Sequence, residues 1–452
     1  MGACGQYRLY LRGMQPLDSC CILRCMRHTD SIDNQSAHRP SAPDQFQMAG
    51  IFREPILFAS LLGLASFAVS ANALPSILTT AARDLNFPVT LLGTAVTAQF
   101  MAYAAFTLLG GWLVDRFRIP EMSLVLVGLS LISLALFLVP RSGPIMTFYV
   151  WAAVLGGGGG LIESLSSVII SDFDTPGSSR LLNLSQFFYC LGAVLAPQIA
   201  AYVLRLGFTW YSAFSAFGIS TAAIALCYAC AWWMQSRRHR NSETPPPQPA
   251  DREPKTFVFS RTQVTVIAIV MFLYVLAEGS MVTWTVALFE IERGLSASEA
   301  AQYLSLFWTG MLVTRASAAF LPLRLSYRTN IMSGFSLFLA GLVFLMISPN
   351  PLLAGVSVFL VGAGAGPVWA TVVNMTRQAT HEARSVATIV AAGSLGVVVA
   401  PSLTGQLIEM WGFSAMLLFV SAVVTLALLT AAGVLWGTAT ARNQALLTEQ
   451  EP

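Results

Sequence analysis

Charge is what this chain has least of. Only 10% of its 452 residues are Asp, Glu, Lys or Arg, whereas 55% are hydrophobic. Soluble proteins carry about 25% charged residues, so a water-soluble fold is excluded and a protein embedded in a bilayer is expected. Histidine is nearly as scarce: His28, His38, His239 and His381 all fall outside the long apolar runs. No histidine relay crosses the membrane, and any proton that moves must ride on carboxylates. A GxxxxGK[ST] phosphate loop is missing, which excludes ATP-driven transport by this chain alone. Neither HExxH nor a GxSxG elbow occurs, so no enzyme is expected.

The seven cysteines carry no framework. Cys4, Cys20, Cys21 and Cys25 crowd the N-terminal segment at spacings that match no zinc module. Cys227 and Cys230 form a CxxC, but inside an apolar run and without the βαβ context of a redox motif. Cys190 also lies in an apolar run, and all three read as small apolar residues. No metal, cofactor or nucleic-acid partner is expected. Residues 1–52 are polar and basic with no apolar h-region, which fits a disordered cytoplasmic arm rather than a cleavable signal. A translation start at Met48 is the open alternative.

Long apolar runs fill the rest. Twelve are predicted to span as helices of about 20 residues: 56–80, 89–114, 122–139, 144–171, 181–204, 209–234, 263–289, 298–323, 329–347, 352–376, 383–409 and 413–436. Twenty of the 25 Lys and Arg residues fall on one side, leaving Arg83, Arg141, Arg205 and Arg293 opposite and Arg315 within the eighth span. The positive-inside rule then puts both termini in the cytoplasm of a multi-pass cell-membrane protein. Residues 235–261 hold RRHR and a proline cluster and read as a cytoplasmic linker. It separates an N-terminal six-helix bundle (53–234) from a C-terminal one (262–438), with a cytoplasmic tail over 439–452. Repetition supports the division: LGAVLAPQI (191–199) recurs as LGVVVAPSL (395–403), and GGGGGLIE in span four as GAGAGPVW in span ten, which sets Trp369 opposite Glu163. Paired halves with sites at their interface describe a secondary transporter.

The polar residues inside spans are the site candidates. In span four, five glycines, Gly156 to Gly160, precede Glu163. The glycines are costly in a water-exposed helix, yet in lipid they let a neighbouring helix come close. A carboxylate at membrane depth costs roughly 2.5–3.5 kcal/mol on insertion scales and usually faces a functional cavity, so Glu163 is the leading proton carrier. Glu278 in span seven is a second such acid, with Trp284 beyond it. Asn72 sits beside an expected break at Pro75. Asn183, Gln186 and Tyr189 share one face of span five, and span ten offers Trp369 and Asn374. Asn and Gln also bridge helices, and single Trp residues also pack. Arg315 reads as structural, pairing with an acid or snorkelling.

These residues resemble the major facilitator superfamily over roughly 51–436, and within it the fucose–proton symporter group. GWLVDRFR (111–118) is similar to the superfamily's gating-loop motif through Gly111, Asp115 and Arg116. RLLNLSQFFYCLGAVLAP (180–197), YVLAEGSMVTW, FWTGMLVTR and GGLIES resemble the group's patterns in spans five, seven, eight and four. The resemblance implies an all-α integral membrane fold of twelve helices in two pseudo-symmetric bundles, with spans one, four, seven and ten lining a cavity, in a monomer. It also places the protonatable acid on Glu163. The group's acid in span one is absent here, where Asn72, Pro75 and Ser76 stand. The expected function is proton-coupled transport of a small polar solute by alternating access, with a monosaccharide the leading candidate. Glu163 would carry the proton, and Glu278 would bind substrate or carry a second one. Asn72, Asn183, Gln186, Tyr189, Trp284, Trp369 and Asn374 would contact substrate. Proton-driven export of an amphipathic compound is the nearest alternative, and a non-transporting membrane sensor the alternative of another class.

Overall fold

The computed structural model describes residues 54–171, 173, 180–239, 259–320, 325–348, 350–380 and 383–448. The expected arm and most of the expected linker lie outside the described residues. Among those described there is no strand. The helices are α1 (Pro55–Asp84), α2 (Val89–Phe117), α3 (Glu121–Leu138), α4 (Ile145–Ser171), α5 (Arg180–Arg205), α6 (Trp210–His239), α7 (Arg261–Ala287), α8 (Ala297–Phe320), α9 (Tyr327–Ile347), α10 (Pro351–Thr380) and α11 (Ala383–Thr448). Among the described residues, ten helical segments are long and apolar enough to cross a membrane. The chain is a multi-pass membrane protein.

Local chemistry sets several helix starts. Pro55 opens α1, where its missing N–H costs nothing. Ser260 and Gln263 cap α7 reciprocally: the Ser260 hydroxyl accepts from the Gln263 N–H at 3.3 Å, and Gln263 Oε1 accepts from the Ser260 N–H at 2.8 Å. Ser296 and Glu299 repeat the arrangement before α8, at 3.3 and 3.0 Å.

Several features differ from the sequence expectation. Helix α1 continues through Pro75 without a break. Helix α6 continues to His239, beyond the expected end at 234. Spans eleven and twelve run on as the 66 residues of α11, but Gly412 inside it has φ 79° and ψ 177°. That backbone is not helical and favours glycine, so two helices meet there. An unbroken helix of this length would reach about 99 Å, far more than the roughly 30 Å hydrocarbon core.

The glycine run makes α4 the centre of the N-terminal half. A Cβ on Gly156 would overlap the Gln99 carbonyl of α2, and one on Gly158 would lie 2.6 Å from the Gly128 carbonyl of α3. Gly159 is covered by the Phe67 ring of α1. Five consecutive residues thus meet three neighbouring helices, which only the smallest side chain allows. Helix α10 repeats the device. A Cβ on Gly362 would overlap the Phe307 carbonyl of α8, and one on Gly364 would lie 2.6 Å from the Gly334 carbonyl of α9. The second sequence repeat behaves alike: Gly192 of α5 abuts Ala65 of α1, and Gly396 of α11 abuts Phe272 of α7. Helices α1–α6 and α7–α11 therefore pack by one scheme, and the two halves meet mainly along α5 with α8 and α2 with α11. Exposed apolar side chains such as Leu108, Met146, Leu226 and Leu352 face outward from the bundle.

Candidate functional site

Between the halves lies a cavity of about 100 Å³. From the N-terminal half, α4 contributes Glu163, α5 Gln186 and Tyr189, and α2 Phe100 and Tyr103. Helix α1 adds Phe67. From the C-terminal half come Glu278 and Val275 of α7, Arg315 of α8, Trp369 of α10 and Ser394 of α11. Five of the expected site residues, Glu163, Glu278, Gln186, Tyr189 and Trp369, are thus brought together.

Glu163 follows the glycine run by one helical turn, so the tight α2–α4 crossing positions it. Where Gly160 abuts the backbone at Tyr103, the Tyr103 hydroxyl reaches Glu163 and donates to Oε2. The Tyr103 ring stacks on Phe67, with centroids 5.5 Å apart and planes 3° from parallel. Phe67 also meets Tyr189 at 5.6 Å. An aromatic wall therefore stands beside the carboxyl. On the opposite wall the Trp369 ring packs over Gly393, where a Cβ would come within 2.7 Å of it.

Arg315 is the charged residue whose placement most departs from expectation. It is buried at 9% exposure, yet its guanidinium neither snorkels nor pairs with an acid. Its Nε donates to the Gly366 carbonyl at 3.2 Å. Its Nη1 donates to Gln186 Oε1 at 3.2 Å and to Cys190 Sγ at 3.3 Å. Among the described residues no carboxylate lies within 4 Å of it; the single ion pair there is Arg83 with Glu290.

Four expected substrate contacts fall elsewhere or outside. Asn72 is 1% exposed and bonded through both amide atoms: its Nδ2 donates to the Ala68 carbonyl at 2.9 Å, and its Oδ1 accepts from Trp308 Nε1 at 2.7 Å. Because α1 does not break at Pro75, no unwound turn directs this amide toward the cavity. Trp284 is buried with its ring seated on Gly93 of α2 and Gly405 of α11, its Nε1 donating to the Pro401 carbonyl at 3.3 Å. It plugs the interface between halves. Asn374 sits toward the end of α10, 3.5 Å from the Tyr327 hydroxyl of α9. The side chain of Asn183 lies outside the described residues. Gly111, Asp115 and Arg116 sit at the end of α2, away from the cavity, with Arg116 exposed and no neighbour near a Cβ on Gly111. Sequence reasoning missed Tyr103, Phe67 and Phe100. They sit in ordinary apolar runs and become neighbours of Glu163 only through the glycine crossings.

A further set of cross-half hydrogen bonds lies at one end of the bundle. There Thr79 and Arg83 of α1 both donate to Glu290, just past α7. Thr97 of α2 meets Ser402 of α11 at 2.7 Å, and Gln198 of α5 donates to Ser305 of α8 at 3.0 Å. Ser298 of α8 donates to the Ala201 carbonyl at 2.9 Å.

Comparison with known proteins gives a consistent picture. The family model described as Major Facilitator Superfamily matches residues 57–392. "Protein TsgA" of Shigella flexneri is 22% identical over 338 residues, covering 74% of this chain and 82% of that protein. Among solved structures, the human organic anion transporter MFSD10 (TETRAN) matches with TM-score 0.60 at 14% identity, over 83% of this chain and 99% of that one. The nucleoside transporter NupG matches with TM-score 0.63 at 12% identity, over 84% and 99%. At these identities the structures share the fold.

Proposed function

Because the chain belongs to the Major Facilitator Superfamily, and is therefore a transporter rather than an enzyme, we propose that it moves a small polar solute by proton-coupled alternating access. The observation that carries this reading is the pairing of Glu163 and Glu278, one from each half, on the same cavity. Burial favours a protonated carboxyl and water favours an ionised one, so exposing the cavity first to one side and then to the other would load and unload a proton. Glu163 is the proposed carrier and Glu278 the proposed substrate-side acid, with Gln186, Tyr189 and Trp369 as contacts. A monosaccharide remains one candidate solute.

The fold is read as twelve spans, counting α8 and the two arms of α11 on either side of Gly412. With both termini cytoplasmic, as the basic residues suggest, the end latched by Arg83 and Glu290 is the outer one. The state described is then closed outside. Asp115 and Arg116 would act at the inner end of α2, and the protein would work as a monomer.

A second reading, export of an amphipathic compound against protons, is favoured by the aromatic wall of Phe67, Phe100, Tyr103, Tyr189 and Trp369. Proteoliposomes separate the two. Solute-driven proton movement is measured over sugars, polyols and drug-like cations, with Glu163→Gln beside the parent protein. Uptake with protons, lost in Glu163→Gln while exchange of bound solute persists, supports the first reading. Outward movement of a hydrophobic compound against a proton gradient replaces it with the second. Proton movement unchanged by Glu163→Gln removes Glu163 from the mechanism.

A further inference from the structure

We infer that the solute is a small organic monoanion, with a carboxylate that docks on the guanidinium of Arg315. The inference rests on the transport reading and narrows its substrate class. A guanidinium has five N–H donors. Three are used, on the Gly366 carbonyl, Gln186 Oε1 and Cys190 Sγ. Both N–H groups of Nη2 have no protein acceptor among the described residues, although the side chain lines the cavity. All three acceptors are neutral, and no carboxylate lies within 4 Å among the described residues. A cation held this deep in a membrane protein ordinarily pairs with an acid or marks a substrate path. Here the three neutral bonds fix its plane and leave one edge without a partner.

Charge balance sets the class. The groups around the cavity that bear on Arg315 are Glu163, Glu278, Tyr189, Tyr274 and Cys190. With protons on both carboxyls, Arg315 leaves the cavity one positive charge, which one carboxylate neutralises through charge-assisted hydrogen bonds. A dianion would meet no second cation among the lining residues. The stacked Phe67–Tyr103 pair and the Trp369 ring supply flat apolar flanks for the carbon skeleton. Once the carboxyls lose their protons, Glu278 competes for the same guanidinium, so proton release and anion release would favour each other.

The test compares matched probes on the unaltered, purified protein: benzoate with benzamide, lactate with lactamide, and glucuronate with glucose. Binding is measured by equilibrium dialysis in mildly acidic buffer. At least one carboxylate should bind roughly thirtyfold or more tightly than its neutral partner, the scale set by one buried, hydrogen-bonded charge pair. Arg315→Gln should remove that difference, and Arg315→Lys should keep part of it. Equal binding within every pair, or no carboxylate bound, overturns the inference. If glucose then still drives proton movement in vesicles, the transport reading stands without it. If carboxylates bind but no solute moves protons, the coupling falls and the anion site remains.

Discussion

Trp308 of α8 donates its indole N–H to Asn72 Oδ1 of α1 across 2.7 Å, tying the two halves together beneath the surface of the bundle. Asn72 passes the link on, through its Nδ2, to the Ala68 carbonyl at 2.9 Å. A side chain that reads as a substrate ligand here bridges the two halves. Its position next to Pro75 suggests an unwound helix with a free amide. The continuous α1 removes that freedom.

Trp308→Phe should leave Asn72 Oδ1 buried without a donor, at a cost of about 1–3 kcal/mol. Replacing both partners by apolar groups, Trp308→Phe with Asn72→Leu, should cost less than the two single changes added together. Thermal unfolding of the four proteins in one detergent measures this. Strict additivity would show that the two side chains do not act as a pair.

The glycines make a sharper prediction because two of them differ so clearly. Gly156→Ala drives a methyl into the Gln99 backbone carbonyl, an atom that cannot swing aside. Overpacking costs typically about 1–3 kcal/mol, more than the roughly 1 kcal/mol that alanine gains over glycine in a helix. Gly111→Ala meets nothing within 4 Å and should be neutral or mildly stabilising. Melting temperatures in detergent should fall for the first and hold or rise for the second. The reverse order would discredit the α2–α4 crossing.

How much of this is legible in the sequence follows from the range of each interaction. Scarce charge and long apolar runs announce a membrane bundle, since the bilayer constrains every span separately. The repeats in spans four and ten, and in spans five and eleven, announce matching helix crossings, because each glycine marks a close approach. Glu163 and Glu278 stand out as rare acids at depth, and both line the cavity. Partners cannot be read in this way. Nothing near Tyr103 says that its hydroxyl will meet a residue sixty positions away, and Arg315 shows only a charge, not the three neutral acceptors that hold it. Trp284 reads as interior, but its neighbours do not follow from its own span, since Gly93 and Gly405 come to it from two other helices.

The Arg83–Glu290 pair should be a weak latch because half of it stands in the open. Arg83 is 69% exposed, while Glu290 is only 7% exposed. Pairs of this kind contribute about 0–1 kcal/mol, so Arg83→Gln should raise the population opened at that end by no more than about fivefold, from RT of about 0.6 kcal/mol. A cysteine at Thr97, which meets Ser402 across the halves, reports this through its labelling rate with a membrane-impermeant maleimide. The rate should rise modestly in Arg83→Gln, and the difference between the two proteins should shrink in high salt, which screens the pair. A rise of about a hundredfold, well beyond what such a pair supplies, would mean that the ion pair, and not the packing of Trp284 on Gly93, holds the end shut.

The two acids should separate when tested side by side. Glu163 accepts from Tyr103 within the N-terminal half, whereas Glu278 shares its electrostatic surroundings with Arg315 and Tyr274 in the C-terminal half. Glu163→Gln keeps the shape and one acceptor but cannot release a proton, so it should abolish proton movement while solute counterflow continues. Glu278→Gln removes the internal competitor for Arg315. It should alter the solute's apparent affinity by about tenfold, on the order of one charge-assisted hydrogen bond, and lower, without abolishing, the number of protons moved per solute. Counterflow and proton flux recorded on the same vesicles decide the matter. Loss of proton movement in Glu278→Gln with Glu163→Gln unaffected would exchange the two roles, and loss in both would make the acids a single coupled proton site.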